Sequence, residues 1–269
     1  MLRVDFHAHL WSRPDAEEAM AATAQRHGVP LVCVSALDSY TPDRDEIERL
    51  NARTEAAIQH WPLPVGAPFM APPASGAVNR APTTAYIGFA TINPLHGEAA
   101  LGDIGRAVAT GVRGIKLWVA CPADDPAVEP VAERAIELGW PVLQHAWHKW
   151  TGNLPGESDP VQVARLATRF PELKLVMAHV GGDWEYGLRA VRRCDNVWVD
   201  TSGSIADAGM IEACVRAVGA ERVVWGTDMP GADLLYTLTK IEGAAISDDA
   251  KERILSRNAL ELLGLEDWG

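Results

Sequence analysis

Apolar runs of five to eight residues recur along this chain, separated by stretches of mixed polarity. They fall at 2–6 (LRVDF), 30–37 (PLVCVSAL), 85–92 (AYIGFATI), 112–119 (VRGIKLWV), 141–147 (PVLQHAW), 173–180 (LKLVMAHV), 197–203 (VWVDTSG) and 222–228 (RVVWGTD). Runs that are apolar almost throughout, without strict alternation, suit strands buried on both faces of a parallel sheet. Helical spacing fills the gaps. Residues 14–28 end on Gly28, a C-cap residue type. Residues 43–60 form a long charged helix. Residues 125–139 place Val128, Val131, Ala132, Ala135 and Ile136 on one face. Residues 159–170 open with Asp159 as N-cap and Pro160 in the first turn. Eight strands alternating with helices predict an α/β protein of the (β/α)8 TIM-barrel class, as one domain over 1–269. A doubly wound open sheet is the rival reading. One segment breaks the rhythm: 61–84 is rich in Pro and Ala, as expected for a surface excursion or for a lid over the site.

Composition narrows the functions. The 269 residues are 48% hydrophobic with a formal net charge of −12. Such a surface repels phosphate backbones and anionic lipids, so neither nucleic acid nor membrane is an expected partner. A small anionic substrate remains compatible, because a metal's local field can oppose the global one. Cys33, Cys121, Cys194 and Cys214 form no CxxC pair and read as free thiols of a reducing compartment. The start, MLRVDFHAHLW, lacks the apolar core of a signal peptide, and no apolar run reaches membrane-spanning length. A cytoplasmic enzyme with a small-molecule substrate is therefore expected, and a homo-oligomer fits equally well.

The chemistry concentrates at strand ends. Side chains two apart on a strand share a face, so His7 and His9 can chelate one ion. An HxH pair alone is weak evidence. Yet His145, His179 and Asp228 also close apolar runs, and in a parallel barrel those ends lie on one rim, where active sites are built. Imidazoles and a carboxylate meeting there suit Zn2+ or a similar divalent ion. Trp11, Trp118 and Trp147 each lie two residues after a site position (His9, Lys116 and His145). Strand geometry predicts an aromatic collar that favours a planar or cyclic substrate. His148 is a further candidate substrate contact.

The stretches DFHAHL, GVRGIKLW, LKLVMAHVGG, VWVDTSG, ERVVWGTDMP and ERILSRNALELLGL span nearly the whole chain. As a set they resemble the amidohydrolase superfamily, within it the "amidohydrolase 2" group related to aminocarboxymuconate-semialdehyde decarboxylase. Trp118 stands where many relatives carry His or Pro. The resemblance implies one divalent ion, expected to be Zn2+, on His7, His9, His145 and Asp228. It implies His179 as an acid/base or carbonyl-polarising group. Binuclear members of the superfamily bridge two ions with a carboxylated lysine, so Lys116 could form a second site with His145 and His179. Its other readings are an electrostatic contact to an anionic substrate and a structural lysine. The expected reaction is hydrolysis of an amide, lactone or similar ester by a metal-activated water, with Asp228 and His179 catalytic. The alternative is non-hydrolytic decarboxylation of an unsaturated or aromatic acid.

Overall fold

The computed structural model describes residues 1–13, 15–63 and 84–268. Eight parallel strands run in the order β1 to β8: Val4–Trp11, Leu31–Leu37, Ala85–Thr91, Gly114–Leu117, Val142–Gln144, Leu175–Met177, Val197–Asp200 and Val223–Val224. Hydrogen bonds from Phe6 N–H to Trp225 O (3.0 Å), from Asp228 N–H to His7 O (2.6 Å) and from His9 N–H to Met229 O (2.7 Å) join the eighth strand's segment to the first. The architecture is a (β/α)8 TIM barrel, as the alternation predicted.

The helices cover the outside: α1 Ala16–Arg26, α2 Arg44–His60, α3 Glu98–Thr110, α4 Glu129–Leu138, α5 Pro160–Arg169, α6 Trp184–Val191, α7 Met210–Val218, α8 Leu234–Glu242, α9 Asp248–Glu252 and α10 Asn258–Leu263. Local chemistry explains their ends. Asp159 caps α5 through Val161 N–H, and Gln162 returns the bond to Asp159 N–H, a complete capping box. Gly139 ends α4 in the left-handed region (φ 65°), where a side chain would be strained. Among the described residues no helix is long and apolar enough to cross a membrane. The four cysteines are free, and three of them are buried. Most of the Pro/Ala-rich segment at 61–84, expected to be an excursion or a lid, lies outside the described residues.

One irregularity decides which side chains enter the barrel. Along β1, Asp5 pairs with Val32 and Ala8 with Val34, so β1 holds one extra residue there. Val4 and Phe6 below this shift join the inner apolar cluster with Leu31, Ile87 and Phe89. Ala8 and Leu10 above it pack in the cluster beneath the outer helices. His7, His9 and Trp11 are thereby turned inward. The Asp5 carboxylate secures the bend by accepting from His7 N–H (3.1 Å), Thr227 N–H (2.9 Å) and Thr227 Oγ (2.6 Å).

Candidate active site

The strands are shorter than the apolar runs, and the difference positions the site. The fifth stops at Gln144 and the sixth at Met177, which leaves His145 and His179 on the connections above them. His179 and Val180 take left-handed backbone (φ 58° and 48°), as does Asp228 (φ 65°). Non-glycine residues in that region typically cost about 1–3 kcal/mol each and gather at functional sites. The eighth strand ends at Val224, and its continuation runs close against the first strand. A Cβ on Gly226 would meet His7 Cβ and Asp200 Oδ1, both at 2.6 Å.

His7 and His9 lie edge to face, their Nε2 atoms 2.9 Å apart. Each ring is held from behind. His7 Nδ1–H donates to Asp200 Oδ2 (2.7 Å), and His9 Nδ1 meets Ser35 Oγ (3.0 Å). With the proton on Nδ1, the Nε2 lone pair points forward. Two such lone pairs at this distance repel each other unless a cation lies between them. Asp228 Oδ1 stands 3.3 Å from His9 Nε2 and 3.8 Å from His7 Nε2. Two imidazole nitrogens and a carboxylate, all within 4.8 Å of one another, are a donor set that fits a divalent metal. Burial alone would raise the Asp228 carboxyl. The imidazoles of His9, His179 and His7 that face it override this and hold Asp228 well below the usual carboxylate range.

A second network runs beneath. Ser202 Oγ donates to Asp200 Oδ2 (2.5 Å) and accepts from His179 Nδ1–H (3.0 Å), which leaves the His179 lone pair on Nε2. His179, with His7 and Asp200, forms the other group of three potential ligands among the described residues. Burial keeps these rings neutral. It lowers His7, with help from the Lys116 charge, lowers His9 and His145, and takes His179 down to about 4.

The expected ligands are not all together. His145 lines the same cavity, its ring centroid 5.2 Å from that of His179, but its Nε2 faces Glu157 Oε1 (3.0 Å) and not the two-histidine cluster. Lys116 is fully buried, and its Nζ lies 3.0 Å from His7 Nε2, the same atom that faces His9 and Asp228. Burial lowers its ammonium to about 8. The ammonium lies at the two-histidine cluster and is not among the residues that line the cavity above it. His148 turns away from the cavity. It bonds Asp159 Oδ2 (2.8 Å) and stacks on Tyr186, ring centroids 4.0 Å apart.

Above the floor opens a cavity of about 290 Å3, lined by Trp11, Trp118, Trp147 and Tyr40 and by His9, His179 and Asp228. Trp11 and Trp118 pack edge to face (5.6 Å), Tyr40 lies against Trp118 (4.8 Å), and Trp147 approaches His179 (5.2 Å). Trp147 is seated on Gly182, where a Cβ would meet its ring at 2.6 Å.

Sequence reasoning did not single out Asp200, Ser202 and Ser35, although a signal was present. They are polar residues in or just after otherwise apolar runs, the pattern that pointed to His145. Glu157 and Lys149 lie in a loop without periodicity and carried no signal. Lys240 was equally silent. It donates from α8 to the carbonyls of Thr201 (2.7 Å), Gly203 (3.1 Å) and Ile205 (2.9 Å), and so fastens the loop that carries Ser202.

Comparison with known proteins bears on the family and the fold. A curated 2-amino-3-carboxymuconate-6-semialdehyde decarboxylase from Dictyostelium discoideum is 24% identical over 209 residues, 62% of this chain and 55% of that protein. The match thus spans about half the length of that relative. Among solved structures, 2,6-dihydroxybenzoate decarboxylase from Rhizobium superposes with a TM-score of 0.73 at 16% identity, covering 99% of both chains. A dihydroxybenzoic acid decarboxylase from Polaromonas, solved with bound manganese and 2-nitroresorcinol, gives 0.72 at 15% identity, covering 98% of this chain and 97% of that one. These two likenesses concern the fold. The profile of the amidohydrolase family (the "amidohydrolase 2" group) matches residues 4–265, nearly the whole chain, and this protein is therefore an enzyme-family member of that group.

Proposed function

We propose that this protein is a metal-dependent, non-hydrolytic decarboxylase of a small aromatic or unsaturated carboxylic acid, in place of the hydrolase that leads the sequence reading. The names of its relatives favour this alternative, since all three compared above are decarboxylases. The observation in this chain that carries the reading is the cavity itself: three indoles and a phenol form flat walls above a floor of histidines and Asp228. A volume of about 290 Å3 is at the small end of ligand sites and suits one ring.

The walls do chemistry as well as recognition. A carboxylate that leaves as neutral CO2 passes its charge to the ring, where it is spread over several atoms. Indole walls that exclude water disfavour the localised charge of the bound acid more than the dispersed charge that follows. A divalent ion on His7, His9 and Asp228, with His145 as the expected fourth ligand, would supply fixed positive charge for the substrate's oxygens. Zn2+ is the ion expected from the sequence, and Mn2+ suits the same donors. Each turnover consumes one proton, breaks the C–CO2 bond and forms a C–H bond at the same carbon. Asp228 and His179 both reach the cavity and both begin without that proton. Asp228 is ionised, and His179 offers a free Nε2 while Ser202 holds its other nitrogen. We assign them as the proton-carrying pair, with Asp228 facing the floor and His179 the ring.

The test is product analysis on metal-quantified protein. Hydroxybenzoates should release one CO2 per acid consumed, with the decarboxylated arene as co-product. Turnover of lactones or amides without CO2 from any acid would return the hydrolase reading.

A further inference from the structure

Lys149 is the single lysine or arginine among the described residues that line the cavity. The other ionisable side chains there are Asp228, Glu157, Tyr40 and the histidines His9, His145 and His179. Asp228 and Glu157 repel an organic anion, and apart from a metal the Lys149 ammonium is the one lysine or arginine charge in this wall that would attract it.

The ammonium is held in place. Lys149 Nζ donates to both carboxylate oxygens of Glu157 (2.7 and 2.6 Å). Glu157 is itself buried and pinned by Leu154 N–H (2.9 Å) and His145 Nε2 (3.0 Å), so it cannot follow the lysine outward. Burial alone would raise the Glu157 carboxyl. The bonds from His145 and Lys149 override this and hold it at about 2. At the base of the lysine, its backbone N–H donates to Asn153 Oδ1 (3.1 Å), and Asn153 Nδ2 in turn donates to Trp147 O. An ammonium has three donors. Glu157 engages two of them, the third has no partner among the described residues, and the side chain remains partly open to the cavity.

We propose that Lys149 is the specificity-determining residue of this site, holding an anionic substituent of the substrate other than the carboxyl group that leaves. The proposal rests on the decarboxylase reading for the identity of the leaving group. The choice between the two carboxyl positions follows from transition-state logic. A cation paired with the departing carboxylate would stabilise the bound acid more than the state in which CO2 is leaving, and would slow the reaction. A cation paired with an anion that keeps its charge throughout binds both states equally and improves affinity without that penalty. The preferred substrate is therefore an aromatic acid with a second acidic group, most simply a ring dicarboxylate. The Glu157 carboxylate acts as the positioning group that fixes the ammonium before the substrate arrives.

The test measures binding, so it does not depend on turnover. The probes are benzene-1,3-dicarboxylate and benzoate, titrated into metal-loaded protein and followed by tryptophan fluorescence. Wild type should bind the dicarboxylate about tenfold or more tighter than benzoate. Lys149→Met should abolish that preference and leave benzoate affinity within about twofold, and Lys149→Arg should keep most of it. Lys149→Met leaves the Glu157 charge uncompensated, so the double variant Lys149→Met/Glu157→Gln provides the second reading and should show the same loss of preference with wild-type metal content. Unchanged preference in both variants overturns the proposal. So does an equal loss of both ligands, which would mean that the pair only supports the wall. The two readings fail separately. Lys149-dependent dicarboxylate binding with no CO2 from any aromatic acid refutes the reaction and keeps the subsite. CO2 release at the same KM in wild type and Lys149→Met keeps the reaction and refutes the subsite.

Discussion

The barrel interior holds two layers of opposite chemistry. Toward the strand starts, Val4, Phe6, Leu31, Ile87, Phe89, Leu143 and Val176 pack with Leu260 and Leu263 of α10 in a closed apolar layer. Phe6 and Phe89 meet edge to face (5.3 Å), and Phe89 lies so close to Gly114 that a Cβ there would come within 2.9 Å of its ring. A few residues further along the same strands, the inward positions carry His7, His9, Lys116, His145 and Asp200, all buried. The surrounding cylinder is alike in both layers, but the source of stability differs. The lower layer gains by removing apolar area from water and by close packing. The upper layer buries polar groups, which costs free energy, and offsets part of that loss with hydrogen bonds and with protonation states moved away from those in water. Strained backbone at His179, Val180 and Asp228 belongs to this layer alone. The barrel's lower half thus supports an upper half arranged for chemistry at the expense of stability.

The contrast can be broken at either layer. The largest effect is expected for Asp228→Asn, which keeps the size and removes the proton carrier. It should lower kcat by roughly 10²–10⁴-fold with partial loss of metal, and lower the unfolding midpoint of the metal-free protein at neutral pH, because the fold favours the ionised carboxylate that Asn lacks. Steady-state rates, elemental analysis and a denaturant melt check the three parts. Phe89→Ala is the mirror experiment. It should destabilise the fold by about 3–5 kcal/mol through the cavity it leaves, while turnover per folded, metal-loaded molecule stays within about twofold of wild type.

Acid should separate the layers further. In the metal-free protein His179 titrates at about 4, against 6.5 for an ordinary histidine. The unfolded chain binds that proton first, so the His179 contribution is fully present above pH 6.5. It is lost as pH falls toward 4, by on the order of 3 kcal/mol. Asp5, pushed up to about 7 by burial, works in the opposite direction over the same range. The contribution is therefore read as the difference between wild type and His179→Asn. Equilibrium unfolding at several pH values should show a shallower acid loss in His179→Asn. In Phe89→Ala the stability should drop by the same amount at every pH. An unchanged pH profile in His179→Asn would show that the ring is not held neutral. The smallest effect is expected at the wall: Trp147→Ala should raise KM for a ring substrate a few-fold to tenfold, with metal content unchanged.

Local pattern was sufficient for the architecture. Apolar runs of strand length alternating with amphipathic stretches determine where strands and helices form, because burial on one or both faces is a property of neighbouring residues. The same periodicity placed His7 and His9 on one face and brought His145, His179 and Asp228 to one rim. What it could not determine was which face of β1 enters the barrel. Strict alternation from Phe6 would turn His7 outward, and the extra residue between Asp5 and Ala8 reverses this. That shift is secured by bonds that Thr227, 222 residues away along the chain, donates to the Asp5 carboxylate. The other decisions are of the same kind. Asp200 and Ser202 fix His7 from the end of the seventh strand, two strands away round the closed barrel, Glu157 takes up His145 Nε2, and Lys116 ends on His7 Nε2. Sequence spacing carries no information about such partners, because hydrogen bonds between distant segments exist only after closure of the sheet brings the strand ends together.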